Sequence, residues 1–188
     1  MWGRFAALVA AIGVILGFLG SAPSFAAQDD PRLEVLFEQL KNSHNKNEVA
    51  DVTSEIWAIW RYSGVPPVDW MMKESHQFLK MGILDSALGG YTMIIESVPS
   101  FAEGWHKRAT VHFLMGNLSA SIEDIKKTVA LEPRHFGAFA GLGLIHLMMG
   151  DEKSALNALE KALAINPHLS GTRQKVEELR KKINGEKI

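Results

Sequence analysis

The chain has no cysteine among its 188 residues, which excludes disulfides, thiolate metal centres and cysteine nucleophiles at once. It also lacks an excess of either charge, with 20 Lys and Arg against 21 Asp and Glu. No global field therefore recruits nucleic acid or an anionic membrane. Catalytic signatures are absent as well: no G-x-S-x-G elbow, no H-E-x-x-H and no glycine-rich phosphate loop after a strand. The adjacent acids Glu123-Asp124 and Glu177-Glu178 point in different directions around a helix. No catalytic residue, no cofactor and no enzymatic activity are expected. What remains is a chain that is 47% hydrophobic and 22% charged, a balance that suits one packed domain.

Long apolar runs are scarce too. One exists, from Phe5 to Leu19, preceded by Arg4 and followed by the small residues Ser24 and Ala26. That is the layout of a secretory signal cut after Ala26. With Gly13 and Gly17 inside it, the run falls short of the ~20 apolar residues a comfortable membrane span needs. The expectation is a mature chain with no membrane span, periplasmic or secreted. No cysteine follows the run, so no lipid-modified cysteine can anchor it.

What the sequence does contain is a period. "VHFLMG" at Val111 to Gly116 returns as "IHLMMG" at Ile145 to Gly150, and a step of 34 residues also aligns Gly82, Gly116 and Gly150 with Pro99, Pro133 and Pro167. Met81, Met115 and Met149 fall in register, as do Ala87, Ser121 and Ala155. A glycine near the middle of each unit and a proline near its end, with apolar residues at helical spacing between, describe two antiparallel helices per unit. Pro66-Pro67 breaks the chain between units, Ser100 and Glu103 read as a capping box, and Asp85, Asn117 and Asp151 read as helix N-caps.

These residues resemble the tetratricopeptide repeat family, and in particular small exported bacterial members of it. Trp105, Ala109, Gly116 and Pro133 carry the pattern in one unit, and Phe139, Leu142, Gly143, Gly150, Ala155, Leu159, Ala162 and Pro167 carry it in the next. The resemblance implies an all-α, right-handed α-solenoid of antiparallel helix pairs. Its expected divisions are a signal peptide over 1–26, a degenerate N-terminal helix pair over 27–67, three units over 68–101, 102–135 and 136–169, and a capping helix and tail over 170–188. In the degenerate pair Phe37, Leu40, Trp57 and Trp60 take apolar slots, and Glu48 replaces the turn glycine. Val176, Leu179 and Ile183 form one apolar stripe on the otherwise charged capping helix.

In that family the first helix of each pair lines a concave face that binds a protein or peptide. Carried onto this sequence, the face comprises Met72, His76, Leu79, His106, Lys107, Thr110, Phe113, Ala140, Leu144 and Leu147. Family members that clamp an acidic C-terminal tail place Lys, Asn and Arg on such slots. Here Met72, His76, Ala140 and Leu144 stand there, so a carboxylate clamp is not expected. Gly137, Ala140 and Gly141 would make an open apolar floor, with His76, His106 and Lys107 as polar handles. The competing readings are an exported protein that binds Cu(I) or Ni(II) through His112, Met115, His146 and Met149, or a self-associating module, a homo-oligomer. No metal site is expected, because His112 and His146 share a slot with Phe78 and repeat neighbours stand roughly 10 Å apart. The methionines read as apolar filler that closes each helix pair. Gly150 is expected to need a positive φ, whereas Gly137→Ala is expected to be harmless.

Overall fold

The structure, a computed structural model, describes residues 27–185, so the leader reading over 1–26 lies outside the described residues. A single 3₁₀ turn, Ala27–Asp29, precedes nine α-helices among the described residues: α1 Arg32–Asn42, α2 Lys46–Trp60, α3 Pro66–Lys80, α4 Leu84–Ser97, α5 Ala102–Leu114, α6 Leu118–Leu131, α7 Phe136–Met148, α8 Glu152–Ile165 and α9 Ser170–Ile183. Helices α3/α4, α5/α6 and α7/α8 form three antiparallel pairs, each stacked on the next, and α9 covers the last.

The 34-residue period is a helix-stop device. Gly82, Gly116 and Gly150 adopt φ of 72, 78 and 77°. The glycine N–H donates three residues back, to Leu79, Phe113 and Leu147, at 3.0–3.1 Å. The next N–H donates five back, to the carbonyls of Phe78, His112 and His146, at 2.8–2.9 Å. This is the Schellman arrangement, which satisfies helix-end carbonyls and demands a left-handed residue. His-x-x-Met-Gly is thus the last turn of α5 and of α7. Of the three methionines only Met115 packs against a core; Met81 and Met149 do not close their pairs, being 71% and 55% exposed. The prolines have an equally local cause. Each follows a residue held extended, Val98, Glu132 or Asn166, at φ −137, −130 and −122°.

Not every cap falls where the sequence placed it. Asp151 caps α8, accepting from the Ser154 N–H at 3.0 Å. Asn117 precedes α6 without a side-chain bond, and Asp85 lies inside the first turn of α4. The Ser100 and Glu103 capping box does not form, because α5 starts after Phe101 and Glu103 turns into the interior. On α9 the stripe is two residues long: Val176 and Leu179 are buried beside Leu159, while Ile183 is exposed.

The larger correction concerns residues 27–67. Helices α1 and α2 pair with each other but do not extend the stack below α3 as a degenerate repeat would. Their core, built from Leu33, Phe37, Leu40, Ile56 and Trp60, takes in Phe136 and packs on Ile165 and Leu169, from the third unit and its exit loop. Trp60 Nε1 donates to Glu132 at 3.4 Å. Arg134 bonds Glu34 at 3.0 Å and lies 4.7 Å from the Phe37 ring centre, and His168 Nε2 donates to the Leu40 carbonyl at 2.8 Å. The N-terminal pair is folded back onto the loops that join successive units.

This placement overturns the expectation for Gly137. A Cβ there would stand 2.6 Å from Trp57 Cη2, a rigid indole wedged on the glycine. Gly137→Ala should lower stability by about 1–3 kcal/mol, and the cost should shrink in a Trp57→Leu background, as thermal melts of the double-mutant cycle will report. Gly150→Val should cost about 1–3 kcal/mol for a different reason, backbone strain at positive φ, and should be indifferent to Trp57.

Candidate functional site

The inner face of the stack is laid out in rows, because each slot recurs one unit on. His76, Thr110 and Leu144 form one such row across α3, α5 and α7. Between α5, α6 and α7 the row opens into a cavity of about 320 Å³. Its walls are Phe113, Ile125, Leu144 and Ile145 with the small residues Ala109, Ala140 and Gly141, and His106 and Thr110 stand among them. The cleft exists because Ala140 and Gly141 give α7 no side chain large enough to fill it. Its two hydroxyls are already committed: Thr110 Oγ1 donates to the His106 carbonyl at 3.0 Å and Ser121 Oγ to the Ala109 carbonyl at 2.7 Å. The cavity is therefore apolar in function, with the His106 imidazole as its remaining polar edge.

Of the ten residues expected on the concave face, His106, Thr110, Phe113, Ala140 and Leu144 are brought together at this cavity. Leu144 is 48% exposed above it. His76 and Lys107 lie alongside. Met72 is corrected: it is buried in the core of α3 and α4 with Val68 and Tyr91 and is unavailable to a partner. Leu79 packs against the same core, and Leu147 packs toward Leu159, Val176 and Leu179 under α9. Their side chains point into the helix pair or the capping helix rather than at the cleft.

One end of the inner face is closed by α2. Trp57 stacks on His106 with ring centres 5.8 Å apart, and Trp60 stacks on His135 at 4.3 Å. Beneath them Glu103 is fully buried, and its Oε2 accepts from His106 Nδ1 and His135 Nε2, each at 3.0 Å. Lys107 Nζ makes an ion pair with the other oxygen at 3.2 Å. Burial alone would raise the Glu103 pKa, but the charges of His106 and Lys107 and both imidazole hydrogen bonds outweigh it and hold the carboxyl well below its usual range. Burial, aided by the charge of His106, lowers His135 to about 4 despite the Glu103 bond. The buried quartet was missed in the sequence. One signal was there: His135 stands in the slot that holds Phe101 and Leu169 one unit either side.

Glu103, His106 and His135 place three ligand atoms within 4.8 Å of one another, the spacing of a metal centre. The bonding assigns them otherwise. His135 Nδ1 accepts the Ala138 N–H at 3.0 Å, so the ring proton sits on Nε2 and no lone pair faces Glu103. The residues proposed from the sequence for copper or nickel are elsewhere, with His112 Nε2 3.9 Å from Asp124 and His146 Nδ1 3.8 Å from Asp151.

Residues 137–169, which form the α7/α8 unit, match the family model of the tetratricopeptide repeat. A TPR repeat-containing protein of Rhizobium etli is 34% identical over 114 residues, 61% of this chain and 56% of that protein. The α7/α8 unit thus carries a tetratricopeptide repeat, and the chain has the fold of such repeats. The chain spans little more than half the length of that relative. Solved structures share the tetratricopeptide fold at low identity. The first TPR domain of Spaghetti (RPAP3), bound to an HSP90 peptide, superposes with a TM-score of 0.59 at 17% identity, covering 62% of this chain and 93% of that one. MamA gives 0.59 at 18% identity and covers 84% of both.

The quartet around Glu103 makes the stability of this protein pH-dependent. Unfolded, His135 takes up a proton near its ordinary value of 6.5; folded, it resists until about 4. The unfolded state binds more protons in that window, so stability is full above pH 6.5 and falls as pH drops toward 4, by on the order of 3 kcal/mol. Glu103 adds a further loss below its ordinary 4.5, where the unfolded carboxyl protonates first. Urea unfolding at a series of pH values should give a midpoint that declines steadily below pH 6.5. A midpoint that rises on acidification would mean His135 is charged in the fold.

Proposed function

We propose that this chain is a non-catalytic, exported tetratricopeptide scaffold that binds a protein or peptide on the part of its concave face left open by α1 and α2, and that it works as a periplasmic adaptor. The observation that carries the reading is the apolar cleft between α5 and α7 with Leu144 half-exposed at its mouth. An unfilled apolar recess beside polar groups is the form of an anchor pocket for a partner's side chain. That the RPAP3 domain holds a peptide supports the same use of the fold. Export rests on Arg4, the Phe5–Leu19 run and Ser24-x-Ala26. A cut after Ala26 would leave the packed chain whole, since Ala27 is buried and Gln28 bonds the Ser100 carbonyl at 2.7 Å. None of the described helices is long and apolar enough to cross a membrane.

A second reading, self-association, has its own observation: Leu114, Leu144 and Met148 are about half-exposed on the inner helices α5 and α7, at 53, 48 and 62%. Light scattering across a concentration series separates the two.

The binding reading is tested with Leu144→Glu, which places a carboxylate where a partner would have to desolvate it. The variant should stay helical and melt near the parent, yet lose about 1–3 kcal/mol or more of affinity for a partner captured from the exported fraction. Lys126→Glu, at an exposed position of α6 outside the cavity lining, should bind as the parent does. Undiminished capture by Leu144→Glu would remove the cleft from the binding site. Intact mass from the producing cell should begin at Ala27; a mass that retains Met1 would refute export by cleavage.

A further inference from the structure

The α7/α8 unit departs from the unit before it on the side of α7 turned away from the concave cleft. On that helix Phe139, Leu142 and His146 fall opposite Ala140, Gly141 and Leu144. One repeat earlier, Arg108 donates through Nε and Nη2 to the two oxygens of Asp124, each at 2.8 Å, and its guanidinium lies 5.1 Å from the Trp105 ring centre. The slots of Arg108 and Asp124 are held in the α7/α8 unit by Leu142 and Ala158, and those of Ser119 and Glu123 by Lys153 and Asn157. An ion pair that bridges two helices is thus replaced by smaller apolar side chains, two carboxylates are lost, and a lysine is gained. What remains is a cavity of about 440 Å³, with Phe139, Leu142 and Ala158 as its apolar floor and Lys153, Asn157 and Lys161 along its edge.

No carboxylate lines this cavity. The acids of α8 and its cap are engaged otherwise: Glu152 with Lys182, Glu160 with Arg180, and Asp151 with the Ser154 N–H. Lys153 and Lys161 are exposed and make no ion pair among the described residues. Lys161 Nζ stands 5.8 Å from the Phe139 ring centre. Lys153, Asn157 and Lys161 follow one another at four-residue intervals, so they share one face of α8, with the two lysines about 12 Å apart along its axis.

We infer that this cavity binds a small organic dianion, a dicarboxylate with an apolar spacer, which sets one carboxylate on Lys153, the other on Lys161, and its spacer on Phe139, Leu142 and Ala158. The site lies apart from the concave cleft and does not depend on the binding reading above. Its volume is that of a small-molecule site. The two lysines flank the apolar floor, so an elongated anion charged at both ends matches them better than a compact one. Asn157, between them, adds an amide that can donate to either carboxylate. A single contact between an exposed lysine and a carboxylate is weak, so binding needs both ends together with burial of the spacer. The preceding unit cannot hold such a ligand, because Arg108 and Asp124 occupy the space and Asp124 would repel it.

The test is isothermal titration of the mature chain with suberate, with its neutral diamide and with inorganic phosphate. Suberate should bind saturably, the diamide should give no binding, and phosphate should bind roughly tenfold more weakly than suberate. Lys153→Gln and Lys161→Gln, both at exposed positions, should each weaken suberate roughly tenfold and melt with the parent. Lys127→Gln, at the slot of Lys161 one unit earlier, should leave suberate binding unchanged. Leu142→Arg combined with Ala158→Asp rebuilds the ion pair of the preceding unit inside the cavity and should abolish binding. If that double variant does not fold, the two lysine variants decide the matter. Suberate binding that survives both lysine substitutions, a diamide that binds as tightly, phosphate that equals suberate, or no saturable binding of adipate, suberate or sebacate would overturn the inference.

Discussion

The contact of Trp57 and Trp60 with His106, His135 and Phe136 decides how much of the concave face stays open. Two indoles from α2 lie on side chains of α5 and of the loop leading into α7, and Glu103 below them holds both imidazoles and Lys107 together. A buried acid is tolerable only where every charge around it is answered. Here the answer comes from three residues at once, so α2, α5 and α7 are locked in one relative position. The cleft beside them keeps its shape because its neighbours cannot shift independently.

That lock also explains an asymmetry among the three units. At the 69, 103 and 137 slots stand Asp69, Glu103 and Gly137, and each has been turned to a separate task. Asp69 accepts from the Ser63 N–H and hydroxyl at 2.7 and 2.6 Å and pins the link into α3. Glu103 organises the buried quartet. Gly137 gives Trp57 a place to rest. Repeats that share a backbone need not share a surface, since slots facing the inner side are free of the packing demands that hold the helix pairs together.

Much of the architecture was legible in the residues. Glycines 34 apart could only be helix stops at positive φ, and the prolines after each unit could only follow extended residues, because both are demands of the local backbone. That five of the ten residues expected on the concave face line one cleft was legible for a related reason: slots of one helix recur one repeat later. It failed at Met72, Leu79 and Leu147, whose direction depends on how much of a helix face the next helix covers. The capping box at Ser100 and Glu103 failed because a carboxylate can serve either a helix N-terminus or a buried histidine, and local sequence does not choose.

What the sequence determined by itself was everything whose cause lies within one repeat: the number of helices in each unit, where they stop, and the alternation that stacks one pair on the next. What only the tertiary structure decided was where the N-terminal pair goes. Leu33, Phe37, Leu40, Ile56 and Trp60 make an apolar face that any sufficiently apolar surface would satisfy, since the hydrophobic effect is non-directional. The surface that won is the one offering Phe136, Ile165 and Leu169 along with hydrogen bonds to Glu132, Arg134 and His168. Those partners lie 72 to 128 residues away in the chain, beyond the reach of any pattern read along it.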